Sequence, residues 1–241
     1  MTPAAFPTSV ATPVISAVPA ATPAWPTMTS PGSWPSPPEW LWQSAPGVAL
    51  IPTLGLNPVE PSYPHLKWDV AHMPAAATVK HVTGRVLVKP ITPKEFRQPA
   101  LYPPHLDVHV TLGNVPVAAA VHARWGPIVV RCNAKGDVSV GDVLDGVYAY
   151  FQQPLYFEDM CAFENWLGKG GDPNYEALLD AFRQRVKNSD NLSAVEWNQG
   201  FKRIDMLGDN RRWCGLYRVP PSVPGDQTVS FNLYLLQARR A

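Results

Sequence analysis

Charge is almost absent from the first 64 residues of the chain. Between Met1 and Pro64 there is no lysine or arginine, and the only acids are Glu39 and Glu60. The same stretch holds 15 of the 28 prolines, and proline lacks a backbone donor and disfavours helix at the residue before it. We therefore predict a disordered tail rich in Pro, Ala, Ser and Thr over residues 1–60, followed by one globular domain over residues 61–241.

The predicted tail contains one stretch that is unusual for a spacer. Residues 33–42 read SWPSPPEWLW, and this Trp34–Trp42 cluster fits a short docking motif, a segment that folds back onto the domain, or a plain linker. The sequence leaves these three alternatives open. It also leaves open whether the tail is phosphorylated at the residues that precede proline, which are Thr2, Thr12, Thr22, Ser30 and Ser36.

Several protein classes are disfavoured by what the chain lacks. The three cysteines are widely spaced with no CxxC pair, which fits a reducing compartment better than a disulfide framework. There is no basic stretch followed by an apolar run at the start and no run of 18 apolar residues, so we expect neither a signal peptide nor a transmembrane helix. Outside the tail, 20 bases face 17 acids, a net charge of +3. We expect an intracellular protein of the cytoplasm or nucleus, with no membrane partner and with nucleic acid disfavoured.

Residue periodicity predicts the elements of the domain. Alternating apolar residues predict strands at Trp68–Val70, Thr78–Lys89, Leu106–Leu112, Pro127–Cys132 and Thr228–Gln237, and a hairpin that joins Phe201–Leu207 to Trp213–Val219. A capping pair predicts a helix from Ser139 to before Pro154, Asp172-Pro173 predicts the start of a second, and a shorter helix is expected between Glu158 and Leu167. The order of strands, helices and strands predicts an α+β fold, with an antiparallel or mixed sheet and two to three helices packed on one face.

A set of short motifs in the last two-thirds of the chain resembles a known family. The motifs are Trp68-Asp69, Pro74–Ala77, PKEFRQPALYPP (Pro93–Pro104), VSVGDVLDGVYAYF (Val138–Phe151), GFKRIDMLGD (Gly200–Asp209) and CGL (Cys214–Leu216). In this order they resemble an uncharacterised domain family of mushroom-forming (basidiomycete) fungi, over roughly residues 61–237. The resemblance implies a fungal source and a domain boundary near residue 61. It implies no activity and no site residues.

Candidate catalytic and metal-binding groups are few. His105, Asp107 and His109 have the types and spacing of metal ligands on one strand face, although a solvated strand face explains them equally well. Glu158, Asp159 and Glu164 form an acidic group that surface helices commonly carry. Neither the three cysteines (Cys132, Cys161 and Cys214) nor the LGKGGD stretch (Gly168, Gly170 and Gly171) matches a nucleophile or phosphate-loop motif.

Basic residues cluster in two places, which we interpret as structural. Arg183, Arg185 and Lys187 favour the C-terminal dipole of a helix, whereas Arg211, Arg212 and Arg218 flank a turn. We also expect a buried pairing of Arg203 with Asp205, or an ion pair with Asp69.

These observations assign no catalytic, cofactor-binding or metal site, and no cofactor. They favour a non-enzymatic protein-interaction or structural module with an unknown protein partner and an oligomeric state that the sequence leaves open. The alternatives are an enzyme with an unrecognised active site on the sheet edge, which we disfavour, and a weak nucleic-acid binder.

Overall fold

A computed structural model describes residues 48–57, 63–83, 85–132, 136–168, 172–189, 193–220 and 228–237. The Trp34–Trp42 cluster and the predicted phosphorylation sites lie outside these residues. Nine strands are described: β1 (Ala49–Leu50), β2 (Leu66–Lys67), β3 (Thr78–Thr83), β4 (Arg85–Pro90), β5 (Leu101–Tyr102), β6 (Asp107–Leu112), β7 (Ile128–Arg131), β8 (Arg212–Val219) and β9 (Ser230–Leu236). Seven α-helices are described: α1 (Pro93–Phe96), α2 (Ala118–Trp125), α3 (Val140–Phe151), α4 (Phe157–Ala162), α5 (Glu164–Leu167), α6 (Pro173–Asn188) and α7 (Ser193–Asn198). Two short 3-10 helices span Pro74–Ala76 and Arg203–Leu207.

The central sheet has four strands in the order β7-β6-β9-β8. Strands β6 and β9 run parallel, while β6–β7 and β8–β9 are antiparallel. The buried face of this sheet carries Val108, Val110, Phe231, Leu233 and Leu235, with α2 packed on β6 and α3 on β7. The predicted α+β class with a mixed sheet is therefore confirmed, although the described residues hold more helices than the two to three expected.

Two smaller sheets adjoin this core. Strands β2, β3 and β4 form one, and β1 pairs with β5 to form the other. The predicted strand Thr78–Lys89 is wrong as a single element, because β3 and β4 pair antiparallel as a hairpin, with Thr83 opposite Arg85. Glycine interrupts the apolar alternation at this point, and a glycine is more often a turn signal than a strand residue.

The segment Val48–Asn57, which the sequence assigned to the tail, packs on the domain. Leu54 is fully buried, and its carbonyl accepts the Leu216 amide at 2.8 Å while the Leu216 carbonyl accepts the Leu56 amide at 3.0 Å. A side chain at Gly215 would lie 2.5 Å from the Leu56 backbone, and Gly215 has a φ of +148°, so only glycine fits this close crossing. For the residues before Val48, the predicted tail stays a prediction.

Helix starts follow the local capping chemistry. The Ser139 hydroxyl accepts the Asp142 amide at 3.1 Å, and the Asp142 carboxylate accepts the Ser139 amide at 2.9 Å, which makes the predicted capping box of α3. Helix α6 begins after Asp172 with proline in its first turn, as predicted. Helices α4 and α5 occupy the region predicted as a short helix between Glu158 and Leu167.

The predicted strand Phe201–Leu207 is wrong. Residues Arg203–Leu207 form a 3-10 helix, and β8 pairs with β9. The Asp205 carboxylate accepts the Lys202 amide at 2.8 Å and also binds Arg185 of α6. These contacts stabilise a tight turn, and the distant partner Arg185 is invisible to a local pattern.

Candidate functional site

An arginine lies over two aromatic rings at the meeting point of three elements. The Arg203 guanidinium carbon is 4.4 Å from the centroid of the Trp125 ring and 4.8 Å from that of Tyr150. Trp125 in turn packs edge-on against Phe163, with centroids 4.9 Å apart. Cation–π contacts of this kind stabilise the pair by about 0.5–2 kcal/mol, the larger values applying where water is excluded.

The local backbone structure positions each of these side chains. Trp125 is the last residue of α2, which stops at Gly126 in the left-handed region with φ +71°. Tyr150 lies in the last turn of α3, and its hydroxyl donates to the Gly126 carbonyl at 3.3 Å. Arg203 opens the 3-10 helix, and its amide donates to the Gln153 carbonyl at 2.9 Å, just after α3 ends. The stack therefore stands on the ends of two helices and a rigid turn.

A buried carboxylate connects helix α4 to the stacked residues. Asp159 of α4 is 5% exposed. Its Oδ1 accepts the Arg124 Nε at 2.8 Å and the Trp125 Nε1 at 3.0 Å, and its Oδ2 accepts the Tyr156 amide at 3.1 Å. Burial raises the pKa of Asp159, but the hydrogen bonds from Trp125, Arg124 and Tyr156 outweigh burial and hold the pKa below its ordinary value.

Two exposed aromatic residues lie at the start of α4, the helix that carries Asp159. Tyr156 is 63% exposed and Phe157 is 79% exposed at the start of α4. Burial lowers the pKa of Arg203, and the nearby Tyr150 and Asp159 oppose this effect. We call Arg124, Trp125, Tyr156, Phe157 and Arg203 the aromatic–arginine surface. It combines exposed aromatic area with two guanidinium groups on fixed supports.

The acidic group predicted from Glu158, Asp159 and Glu164 is divided by the structure. Asp159 is buried and fully engaged, while Glu158 and Glu164 are exposed. A cavity of about 260 Å³ lies next to Glu164, and its described lining is Met160, Cys161, Glu164, Leu167, Gly168 and Tyr175. One carboxylate without a neighbouring base does not make an acid–base pair.

A second cluster of charges is buried between α6, α7 and the 3-10 helix Arg203–Leu207. Arg185 is 7% exposed, Glu196 5% and Asp205 1%. The Arg185 Nε and Nη2 donate to the two Asp205 oxygens, each at 2.9 Å, and its Nη1 donates to Glu196 Oε2 at 2.7 Å. Lys202 Nζ lies 3.2 Å from the same Glu196 oxygen. Two cations thus balance two carboxylates, and we call these four residues the buried charge cluster.

This cluster corrects one interpretation of the sequence. The predicted Arg203–Asp205 pair is wrong, because Asp205 binds Arg185 and Arg203 lies over Trp125. Arg185 lies in the last turn of α6, as the dipole interpretation expects, but its side chain is buried, while Arg183 pairs with Asp180 at the surface at 3.3 Å.

The other basic group is also partly buried. Arg211 is 8% exposed, and its Nε is 4.0 Å from Asp69 Oδ2. Arg218 donates to the Val48 carbonyl at 3.2 Å. Both arginines therefore contact the start of the domain, and Asp69, the alternative partner expected for Arg203, lies beside Arg211 instead.

The remaining candidates do not converge. His105 precedes β6, whereas Asp107 and His109 lie within it, and in the described part of the chain no three His, Cys, Asp or Glu side chains are arranged to hold a metal ion. Burial raises the pKa of the Cys214 thiol to about 12, while Cys161 is exposed and Cys132 half-buried. Among the described residues no helix is long and apolar enough to cross a membrane.

The fold and the aromatic–arginine surface define a small α+β domain that presents aromatic residues beside arginines. The chain belongs to the family of unknown function DUF6699, whose model matches residues 66–226. No curated protein and no solved structure matches the chain. All members of the aromatic–arginine surface and of the buried charge cluster fall inside the matched range.

Proposed function

We propose that the domain is a non-enzymatic protein-interaction module and that the aromatic–arginine surface is its contact site. One observation carries this proposal: Tyr156 and Phe157 are largely exposed at the start of α4, the helix whose Asp159 binds Arg124 and Trp125 next to the stacked Arg203. Trp, Tyr and Arg dominate the residues that supply binding energy at protein interfaces, and they do so best on rigid supports. A partner that covers Phe157 removes its apolar area from water, which favours binding.

The two alternatives have less support. An enzyme needs accessible acid, base or nucleophilic groups, but the carboxylates that converge in this domain, Asp205 and Glu196, are buried and ion-paired. A nucleic-acid binder needs a continuous basic face, but Arg185 and Arg211 are buried within the domain. The intracellular location, the fungal source and a tail over the residues before Val48 remain proposals based on the sequence.

Affinity capture from the native cell tests the contact site. We expect the full-length protein to retain a partner that the Tyr156→Ala/Phe157→Ala variant loses by about tenfold or more, since each large aromatic in an interface contributes on the order of 1–2 kcal/mol. Tyr102→Ala is the matched control, because Tyr102 is 78% exposed and lies on β5. A partner retained equally by all three proteins would show that binding uses another surface.

A further inference from the structure

The chemistry of the partner can be inferred from the charges that the surface leaves accessible. Resting on the proposed function, we propose that the aromatic–arginine surface binds a short protein segment that carries a carboxylate next to a tryptophan or another large apolar residue. The argument depends on Arg124, Arg203 and their surroundings.

The accessible charge at the stack is positive. Asp159 is the carboxylate that binds Arg124, and three donors already occupy both of its oxygens in a buried position. The Arg124 side chain is still 41% exposed. Arg203 is held over two rings, and its Nε is buried with no hydrogen-bond partner. Its remaining donors lie in the guanidinium plane, which matches the planar oxygens of a carboxylate.

The exposed aromatic side chains favour a segment that has an apolar residue next to its carboxylate. Phe157 and Tyr156 follow each other at the start of α4, and the Tyr156 amide is bound to the same Asp159 that holds Arg124. A carboxylate bound at the arginines therefore places the adjacent residue of its chain within reach of Tyr156, which lies near enough to Arg203 to oppose the lowering of its pKa by burial. Short peptides commonly bind in this way, with one polar anchor and one apolar anchor.

The same residue types also suit single-stranded nucleic acid, but the surroundings favour a protein segment. Bases stack on exposed aromatics while a track of basic residues binds successive phosphates. Here Glu158 is exposed directly after Phe157, and Glu164 is exposed further along. These acids repel a row of several phosphates more strongly than they repel one carboxylate.

A peptide of the required chemistry occurs in this chain, at Pro37–Trp42 with the sequence PPEWLW. We choose it as the probe, labelled with fluorescein, and measure its fluorescence anisotropy with the full-length protein. That protein carries Glu39→Gln and Trp40→Ala, so that its own copy of the sequence does not compete. We expect saturable binding that weakens at least tenfold when the probe glutamate is replaced by glutamine.

Variants of the surface locate the binding. Arg203→Met and Phe157→Ala should each weaken binding of the glutamate probe tenfold or more, while Tyr102→Ala should not change it. Arg203→Met should also remove the preference for glutamate over glutamine, which a merely structural role of Arg203 would not do. Phe157 is exposed, so Phe157→Ala keeps the test decisive if Arg203→Met fails to fold.

Three results would overturn the proposal. These are no binding of the probe, equal binding of the glutamate and glutamine probes, and tighter binding of a labelled oligothymidylate, which would assign the surface to nucleic acid. Failure of the probe alone leaves the interaction site standing if Tyr156→Ala/Phe157→Ala still loses the captured partner. If the probe does not bind and the Tyr156→Ala/Phe157→Ala variant also retains the captured partner, the proposed contact site is wrong as well.

Discussion

Replacing the buried Arg185 with methionine should strongly destabilise the domain, because it removes a cation that binds two buried carboxylates. Arg185 is 7% exposed and donates to Asp205 and Glu196 at 2.7–2.9 Å, and to the Gly200 carbonyl at 2.7 Å. Without it, the described part of the buried charge cluster keeps one cation, Lys202, beside the two carboxylates. Removing one partner of a buried ion pair costs about 3–5 kcal/mol, because the other charge stays buried without compensation.

That loss is a large fraction of the free energy of unfolding, which is about 5–15 kcal/mol for an ordinary domain. Urea unfolding followed by tryptophan fluorescence measures it, since a change in midpoint at constant slope reports stability. Arg183→Met is the matched control on the same helix. Its ion pair with Asp180 is about 60% exposed on both sides, so we expect a change within about 0.5 kcal/mol.

The reasoning is refuted if Arg185→Met costs no more than Arg183→Met. Such a result would mean that water or a shift of α7 satisfies Asp205 and Glu196. The variant Arg185→Met/Glu196→Gln provides a second check, because it removes one of the two buried carboxylate charges that Arg185 balances and should recover part of the lost stability.

Three further predictions concern stability and reactivity. Leu144→Ala should lower the free energy of unfolding in urea by about 2–5 kcal/mol, because Leu144 is fully buried in α3. Asp145→Ala, at an exposed position, should lower it by less than about 0.5 kcal/mol. Equal losses would show that the buried face of α3 is assigned wrongly. Because the folded pKa of Asp159 is lowered, its carboxylate stabilises the fold fully above the unfolded pKa of about 3.9, and this contribution is lost as the pH falls through the folded pKa. Unfolding at a series of acidic pH values should therefore show a steeper loss for the native protein than for Asp159→Asn, and parallel curves would contradict the assigned hydrogen bonds. A thiol reagent at neutral pH should modify exposed Cys161 rapidly and leave Cys214 unmodified in the folded protein, since the pKa of Cys214 is about 12; peptide mapping that finds Cys214 modified first would contradict its burial.

The elements that local chemistry determines were predictable from the sequence. The Ser139–Asp142 pair gave the start of α3, and alternation gave β9, whose Val229–Leu235 side chains are buried in alternate positions as expected. These features depend on residues within a few positions of one another. The periodicity of a buried strand face and the capping of a helix are both local signals.

The aromatic–arginine surface was not predictable, because its residues come from α2, the start of α4 and the 3-10 helix. Arg203 lies 78 positions from Trp125 in the sequence and 4.4 Å from its ring in the structure. The order of residues around Arg203 suggested a partner two positions away, Asp205, but tertiary packing offered that carboxylate a closer fit to Arg185. A local signal for the surface did exist at Tyr156-Phe157, two adjacent aromatics that follow proline and precede an acidic helix start.

The backbone crossing at Gly215 has a consequence for where the protein can be shortened. Strand β8 is an edge of the four-stranded sheet, and residues 54–56 hydrogen-bond along its outer side. A chain that began at residue 61 would leave that side of Gly215 and Leu216 bare, and bare strand edges pair with other copies. Light scattering should show aggregation of the chain that begins at residue 61 and not of one that begins at residue 48, so that thirteen residues of an apparently dispensable stretch set the solubility of the domain.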